Sequence, residues 1–115
     1  MSDVSFQPAP IMNSISQTGG ARIGKSFMAW NYSIPFATLN ANQNELTVQV
    51  NAFFSNGTYT VLKNKVLEIV DYDGLFSKGI LINHSDSRLP STIIFWTSKR
   101  ADLKNRLREL GFSVK

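Results

Sequence analysis

The chain has 115 residues, the size of one compact domain, and its 43% apolar and 11% aromatic content is typical of a folded protein. It has no cysteine and a single histidine, which excludes a disulfide framework, a thiolate metal site and a cysteine nucleophile. The formal net charge is +4, and residues 99–115, with six Lys or Arg and two Asp or Glu, account for all of it.

The N-terminal region differs in composition from the rest of the chain. Residues 1–26 are rich in Ser, Gly, Pro and Gln and predict a flexible arm with room for one short strand near 11–16. A single folded domain is predicted from 27 to 115. The chain shows neither a secretory signal pattern nor an apolar run of the roughly 20 residues that span a bilayer. We therefore expect a cytoplasmic protein.

Alternation of apolar and polar residues predicts the first strand, over residues 28–37. This pattern places a set of large apolar side chains on one buried face: Met28, Trp30, Tyr32, Ile34 and Phe36. Pro35 cannot donate a ladder hydrogen bond, so it predicts an edge position or a bulge.

Further strands are predicted at 46–52, 59–62, 66–72, 79–85 and 92–96. Asn56-Gly57 is typical of a two-residue hairpin turn, because both residues tolerate positive φ, and Asp73-Gly74 marks another turn. The segment 92–96 is apolar at almost every position, which predicts burial on both faces.

The C-terminal segment changes to helical periodicity. Ser98 is a candidate N-cap, Leu103, Leu107 and Leu110 form one apolar stripe, and Gly111 with Phe112 predicts a Schellman ending. The predicted fold is mainly β with one C-terminal α-helix, an antiparallel barrel or sandwich of six to seven strands capped by that helix.

Several segments resemble bacterial pleckstrin-homology-like domains of an uncharacterised protein family. They are Trp30, Ile34-Pro35-Phe36-Ala37, the run from Asp73 to Ile80, the segment 93–96 and Leu110-Gly111-Phe112. The resemblance implies a seven-stranded antiparallel barrel capped by a C-terminal helix. For relatives that bind phosphoinositides it implies basic residues between the first two strands, but the loop 40–44 carries none.

Residues Gly19 to Ser26 match the phosphate-loop pattern G-x-x-x-x-G-K-S. That loop must join a buried strand to a helix, whereas the residues before it are polar and those after it alternate as a strand. The sequence therefore argues against a nucleotide partner, and no cofactor is predicted.

The predicted helix carries two charged flanks. Arg100, Lys104 and Arg108 follow one another along one side, with no carboxylate between them, while Arg106 lies near Asp102 and Glu109. The first flank is a candidate ligand-binding site for the lipid headgroups of an anionic membrane surface, for nucleic acid or for an acidic protein surface; the alternative is a solvated helix face. Without interleaved aromatic residues it does not favour nucleic acid.

His84 is predicted at a strand end, half-buried and hydrogen-bonded; the alternative is a general base in a small hydrolase, for which Ser85, Asp86 and Ser87 are the neighbouring polar groups. Asp71 and Asp73, with Glu68, form the acidic cluster of the chain, and a solvated strand end is favoured there over a cation site.

Two adjacent aromatic residues, Phe53 and Phe54, point to opposite faces of a strand, so one should be exposed or buried against a second copy of the chain. No reaction is indicated by any of these patterns. We expect a non-enzymatic binding module, with protein–protein interaction or self-association favoured over a membrane-surface adaptor.

Overall fold

The structure is a computed structural model, and it describes residues 14–25, 29–53 and 55–115. These residues form seven strands and one α-helix: β1 (Ser14–Gly24), β2 (Trp30–Asn42), β3 (Glu45–Ala52), β4 (Ser55–Leu62), β5 (Val66–Asp73), β6 (Lys78–His84), β7 (Thr92–Trp96) and α1 (Arg100–Glu109). All seven strands belong to one antiparallel sheet in the order β4-β3-β2-β1-β7-β6-β5, curled into a half-barrel. The predicted fold class is confirmed.

Strand β1 lies in the middle of the sheet, paired with β2 on one side and β7 on the other. The sequence predicted a flexible arm up to residue 26, with one short strand, and the structure instead has an 11-residue strand there. Gly19 and Gly20 add no apolar side chain to the pattern of this strand, yet both are buried. A Cβ on Gly19 would collide with the Trp96 carbonyl oxygen, and a Cβ on Gly20 would collide with the Tyr32 carbonyl oxygen, so neither position has room for a side chain. The predicted domain boundary therefore falls between two paired strands, and Phe27 itself lies outside the described residues.

A bulge divides β2 into two halves. Gly19 pairs with Ala37 and Ala21 pairs with Tyr32, so residues 33–36 of β2 loop out, at the position of Pro35. After the bulge the buried side chains are Ala37, Leu39 and Ala41. The prediction of one buried face through β2 is wrong: Ile34 and Phe36 are 51% and 43% exposed, because the bulge shifts the alternation between the two faces, and Trp30, which precedes the bulge, is 67% exposed.

The β3–β4 hairpin turns at residues 53–54, since Ala52 pairs with Ser55. The prediction of a turn at Asn56-Gly57 is wrong, and Gly57 instead pairs with Val50. A turn at 56–57 would set Val50 opposite Lys63, whereas the observed register lets Leu46, Val48 and Val61 all face the core. Phe54 lies outside the described residues.

Helix α1 closes one side of the core with Leu103, Leu107 and Leu110. Its end has the predicted Schellman geometry: Gly111 has a φ of +94°, and the Phe112 N–H donates to the Leu107 carbonyl oxygen at 3.1 Å. The predicted N-cap at Ser98 is wrong, because the cap position is Lys99. No helix in the described part of the chain is long and apolar enough to cross a membrane.

Two further features complete the sheet. Strand β7 is buried on both faces, as predicted: Ile93 and Phe95 belong to the core, and Ile94 and Trp96 are buried on the opposite side. After the helix, residues 113–115 run along the outer edge of β5, where the Ile69 N–H donates to the Ser113 carbonyl oxygen at 2.8 Å. The chain thus covers part of one edge of its own sheet.

Candidate functional site

The basic flank of the helix and the acidic cluster, predicted as separate features, meet in the structure. Arg100 Nη1 donates to Asp73 Oδ1 at 2.7 Å, and Lys104 Nζ donates to Asp71 Oδ1 at 2.8 Å. The hydrogen bond from Lys104 lowers the pKa of Asp71, and the bond to Asp73 raises the pKa of Arg100. The interpretation of this flank as unneutralised is therefore wrong for Arg100 and Lys104.

The other two arginines of the helix, Arg106 and Arg108, are more exposed than Arg100 and Lys104. Arg108 is exposed, and its Nη1 donates to Asn105 Oδ1 at 2.8 Å. Among the described residues no ion pair joins Arg106 to Asp102 or Glu109, and Arg106 instead lines a polar cleft beside the sheet. The pKa of Asp71 is lowered first by its hydrogen bond from Lys104 and also by the charges of Arg100 and Arg108. Asp71 thus lies within electrostatic reach of all three cations, and their role as a ligand-binding site stays a prediction.

His84 ends β6 and is half-buried, with both ring nitrogens hydrogen-bonded to the backbone of the β6–β7 loop. Nε2 lies 2.8 Å from the Pro90 carbonyl oxygen, and Nδ1 accepts the Asp86 N–H at 3.1 Å. Because a carbonyl can only accept, the proton is on Nε2. Both nitrogens are thus engaged in holding the loop, as the structural interpretation of this residue predicted.

Asp86 is the buried carboxylate of that loop. It accepts the Arg88 backbone N–H at 3.0 Å and the Arg88 guanidinium at 3.0 and 2.9 Å, which lowers the pKa of Asp86 to about 2. The carboxylate therefore closes the turn on its own neighbour and does not orient His84.

The segment that matches the phosphate-loop pattern has the geometry of a strand. Residues from Gly19 to Gly24 pair with β2 and β7, so this part of the backbone is taken up in sheet ladders. Phosphate loops need free N–H groups that converge at a helix N-terminus. The glycines here serve close strand packing, and Ser26 lies outside the described residues.

A group of exposed apolar side chains lies where the β5–β6 turn meets the bulge of β2. In the turn, Leu75 is 90% and Phe76 95% exposed. Phe76 and Ile34 line one groove of about 260 Å³. On its other side, Phe76 lines a second groove of about 360 Å³ with Tyr72 and Trp96. We call the two grooves and Phe76 between them the Phe76 surface.

The floor of the second groove is held by specific contacts. Trp96 Nε1 donates to Asn31 Oδ1 at 2.7 Å, which joins β7 to β2 across β1. The rings of Tyr72 and Trp96 lie 5.8 Å apart in a tilted arrangement. Gly74 brings the turn against the Trp96 ring, since a Cβ there would lie 2.8 Å from that ring. The groove is thus preformed by strand residues.

The charges that border the Phe76 surface are all positive. Lys78 and Arg100 line the first groove and Arg22 lines the second, and the described residues lining either groove include no carboxylate. Asp73 lies nearby but is paired with Arg100. The surface combines exposed apolar side chains with a basic border.

Sequence reasoning did not identify this surface as a site. Leu75 and Phe76 were noted only for the resemblance to pleckstrin-homology-like domains, and Ile34 was expected to be buried. One signal was available: two large apolar side chains follow Asp73-Gly74 in a predicted turn, where burial is hardest to achieve. The grooves themselves form because residues of β2 and of the β5–β6 turn, which are distant in sequence, lie close together in the fold.

Comparison of the chain with protein-family models, curated proteins and solved structures gave no match. The resemblance to pleckstrin-homology-like domains therefore stays a prediction.

Proposed function

We propose that the domain is a non-enzymatic interaction module of pleckstrin-homology-like type that binds a protein partner through the Phe76 surface. The observation that carries this proposal is the near-complete exposure of Leu75 and Phe76 between two preformed grooves. Exposed apolar residues gathered on one part of a small protein mark sites of interaction. The half-barrel with its C-terminal helix supports the fold assignment.

The chemistry of the grooves favours a partner segment that is apolar and acidic. Apolar side chains would fill the grooves beside Phe76, and Asp or Glu would meet Lys78 or Arg22 at the border. The grooves also contain polar groups, among them Ser77 and Ser98, which a polypeptide can satisfy with its backbone. Phe76 then acts as the central anchor.

A lipid bilayer would contact less of the Phe76 surface than a protein partner would. A membrane would take up the protruding side chains of Leu75 and Phe76 but would leave the recessed grooves unfilled. The helix cations that would attract anionic headgroups include Arg100 and Lys104, which are already paired with Asp73 and Asp71. These features favour a protein partner.

The proposal is tested by selecting peptides from a random display library against the immobilised protein. We expect the enriched peptides to combine large apolar residues with Asp or Glu. Phe76→Ser should weaken their binding by about 10-fold or more, because truncation of a central anchor costs roughly 2 kcal/mol. The matched control is Leu67→Ser, another exposed apolar side chain, on β5, which should leave binding unchanged.

Two outcomes contradict the proposal. The first is a selection that enriches no apolar and acidic peptide, or one whose peptides bind Phe76→Ser as well as the unaltered protein. The second is co-sedimentation with vesicles rich in phosphatidylserine that Phe76→Ser abolishes, in the absence of peptide binding. That second result would assign the surface to a membrane.

A further inference from the structure

The two edge strands of the sheet, β5 and β4, differ in what lies along their outer sides. The edge strand β5 has residues 113–115 along its outer side, with hydrogen bonds in both directions at Ile69. The edge strand β4 pairs with β3, and in the described part of the chain no backbone hydrogen bond is made by the outer side of β4. Among the described residues, one edge is therefore covered and the other is open.

Strand β4 lacks the devices that keep exposed edges apart. Proteins protect such edges with lysine, proline, bulges or short strands. β4 has eight residues and pairs with β3 in an unbroken register from Ser55 to Leu62. It contains no charged residue and no proline. Its backbone groups form a regular template for one more strand.

The charge distribution favours a second copy as that additional strand. The molecule carries a net charge of +4, which opposes association of identical chains, but residues 46–62 hold no charge at all. Two copies that meet along β4 bring together a neutral region of the chain. The neighbouring hairpin turn exposes Phe53 completely, which adds apolar surface beside this edge.

We infer that the chain forms a symmetric dimer in which β4 of one copy pairs antiparallel with β4 of the other. A two-fold axis between the strands makes the contact self-complementary, and it joins the two seven-stranded sheets into one. The axis passes beside Thr58, near the middle of the strand, so the two Thr58 side chains lie opposite each other across it. This inference does not depend on the Phe76 surface, whose key residues lie on the β5–β6 turn and in the bulge of β2.

The inference is tested with the full chain by sedimentation equilibrium over a concentration series. We expect a mass of twice the 12.9 kDa of one chain. Thr58→Lys should shift the protein to the monomer mass, because it places two lysines beside each other at the axis. Thr58 is exposed, so the variant should keep its thermal unfolding profile. The matched control, Leu67→Lys on the opposite edge strand, should stay dimeric.

Amide hydrogen exchange in β4 provides a second readout. In the dimer, the amides of β4 that point away from β3 should be protected from exchange, and this protection should be lost in Thr58→Lys. A monomer at all concentrations, or a dimer that Thr58→Lys leaves intact, would overturn the inference. Protection of the same amides in a monomeric protein would also overturn it, because another segment of the same chain would then cover the edge.

Discussion

At the scale of single residues, glycines decide how closely the strands of this sheet approach. Gly20 faces the bulge of β2, where a Cβ would meet the backbone of Tyr32, Ser33 and Ile34. A side chain there would push the two strands apart and move Ile34 out of the groove beside Phe76. Gly20, one of the glycines that match the phosphate-loop pattern, therefore helps to shape the proposed binding surface.

We expect Gly20→Ala to destabilise the fold by about 2–4 kcal/mol, since its surroundings are backbone atoms that cannot move aside as a side chain would. The control is Lys25→Ala, at an exposed position, which should change stability by less than about 0.5 kcal/mol. Urea denaturation followed by circular dichroism measures both. Equal stability of the two variants would contradict this account of Gly20.

The second residue-scale prediction concerns Asp86. Its lowered pKa of about 2 means that the native state favours the ionised carboxylate. The stabilisation that it provides should be complete above the ordinary pKa of 3.8 and lost as the pH falls towards 2. Carbon-13 NMR titration of the carboxyl group should show this midpoint directly.

Arg88→Ala should raise the Asp86 midpoint towards 3.8 but not fully restore it, because the backbone N–H of residue 88 still donates to the carboxylate. Arg106→Ala removes another exposed arginine and should leave the midpoint unchanged. A midpoint near 3.8 in the unaltered protein would contradict the arrangement of this turn.

At the scale of elements, the apolar stripe of α1 attaches the helix to the sheet. The ion pairs beside it add little to the free energy of unfolding. Leu103 and Leu107 are buried in the core, whereas Asp71 and Asp73 are exposed at the surface. Exposed ion pairs contribute little because water screens them and ordering long side chains costs entropy. The leucines should therefore dominate the stability of the helix.

Leu107→Ala should lower the free energy of unfolding by about 3 kcal/mol, through lost burial and the cavity that remains. Asp71→Asn should lower it by roughly 0.5 kcal/mol, and the loss should shrink further in high salt. Chemical denaturation at two salt concentrations measures both variants. A larger effect for Asp71→Asn than for Leu107→Ala would show that the ion pairs hold the helix.

The elements that the sequence predicted correctly are those whose signal is local. The leucine spacing and the Gly111-Phe112 ending specify α1 by themselves, and the unbroken apolar run of 92–96 indicates its burial on both faces. The hairpin turn was misplaced because Asn56-Gly57 is a strong local signal, while the observed register sets Leu46 opposite Val61, and both are buried. Tertiary packing overrode the turn propensity here.

At the scale of the whole molecule, the proposed site could not be predicted from the sequence because it combines distant segments. Ile34 and Phe76 meet only because a bulge turns β2 outward and the β5–β6 turn folds towards it. The candidate flank on α1 was predicted from helical periodicity, which reveals neighbours on the helix but not the strand opposite. Asp71 and Asp73 were visible in the sequence, yet their position against Arg100 and Lys104 follows from the sheet.

Residues 14–25, 29–53 and 55–115 present three surfaces with different properties: the apolar Phe76 surface with its basic border, the helix flank paired with β5, and the neutral edge of β4. Of these three, the first combines grooves with exposed large side chains. Measuring where a ligand binds therefore distinguishes these surfaces better than measuring how tightly it binds.

The most direct test of the central claim is an amide NMR map of the protein with a bound peptide from the library selection. We predict that the shifts concentrate at Asn31, Ile34, residues 74–78 and Trp96, and that Lys104 and Arg108 do not move. Shifts centred on the helix flank, or shifts at Leu75 and Phe76 no larger than elsewhere in the molecule, would contradict the account.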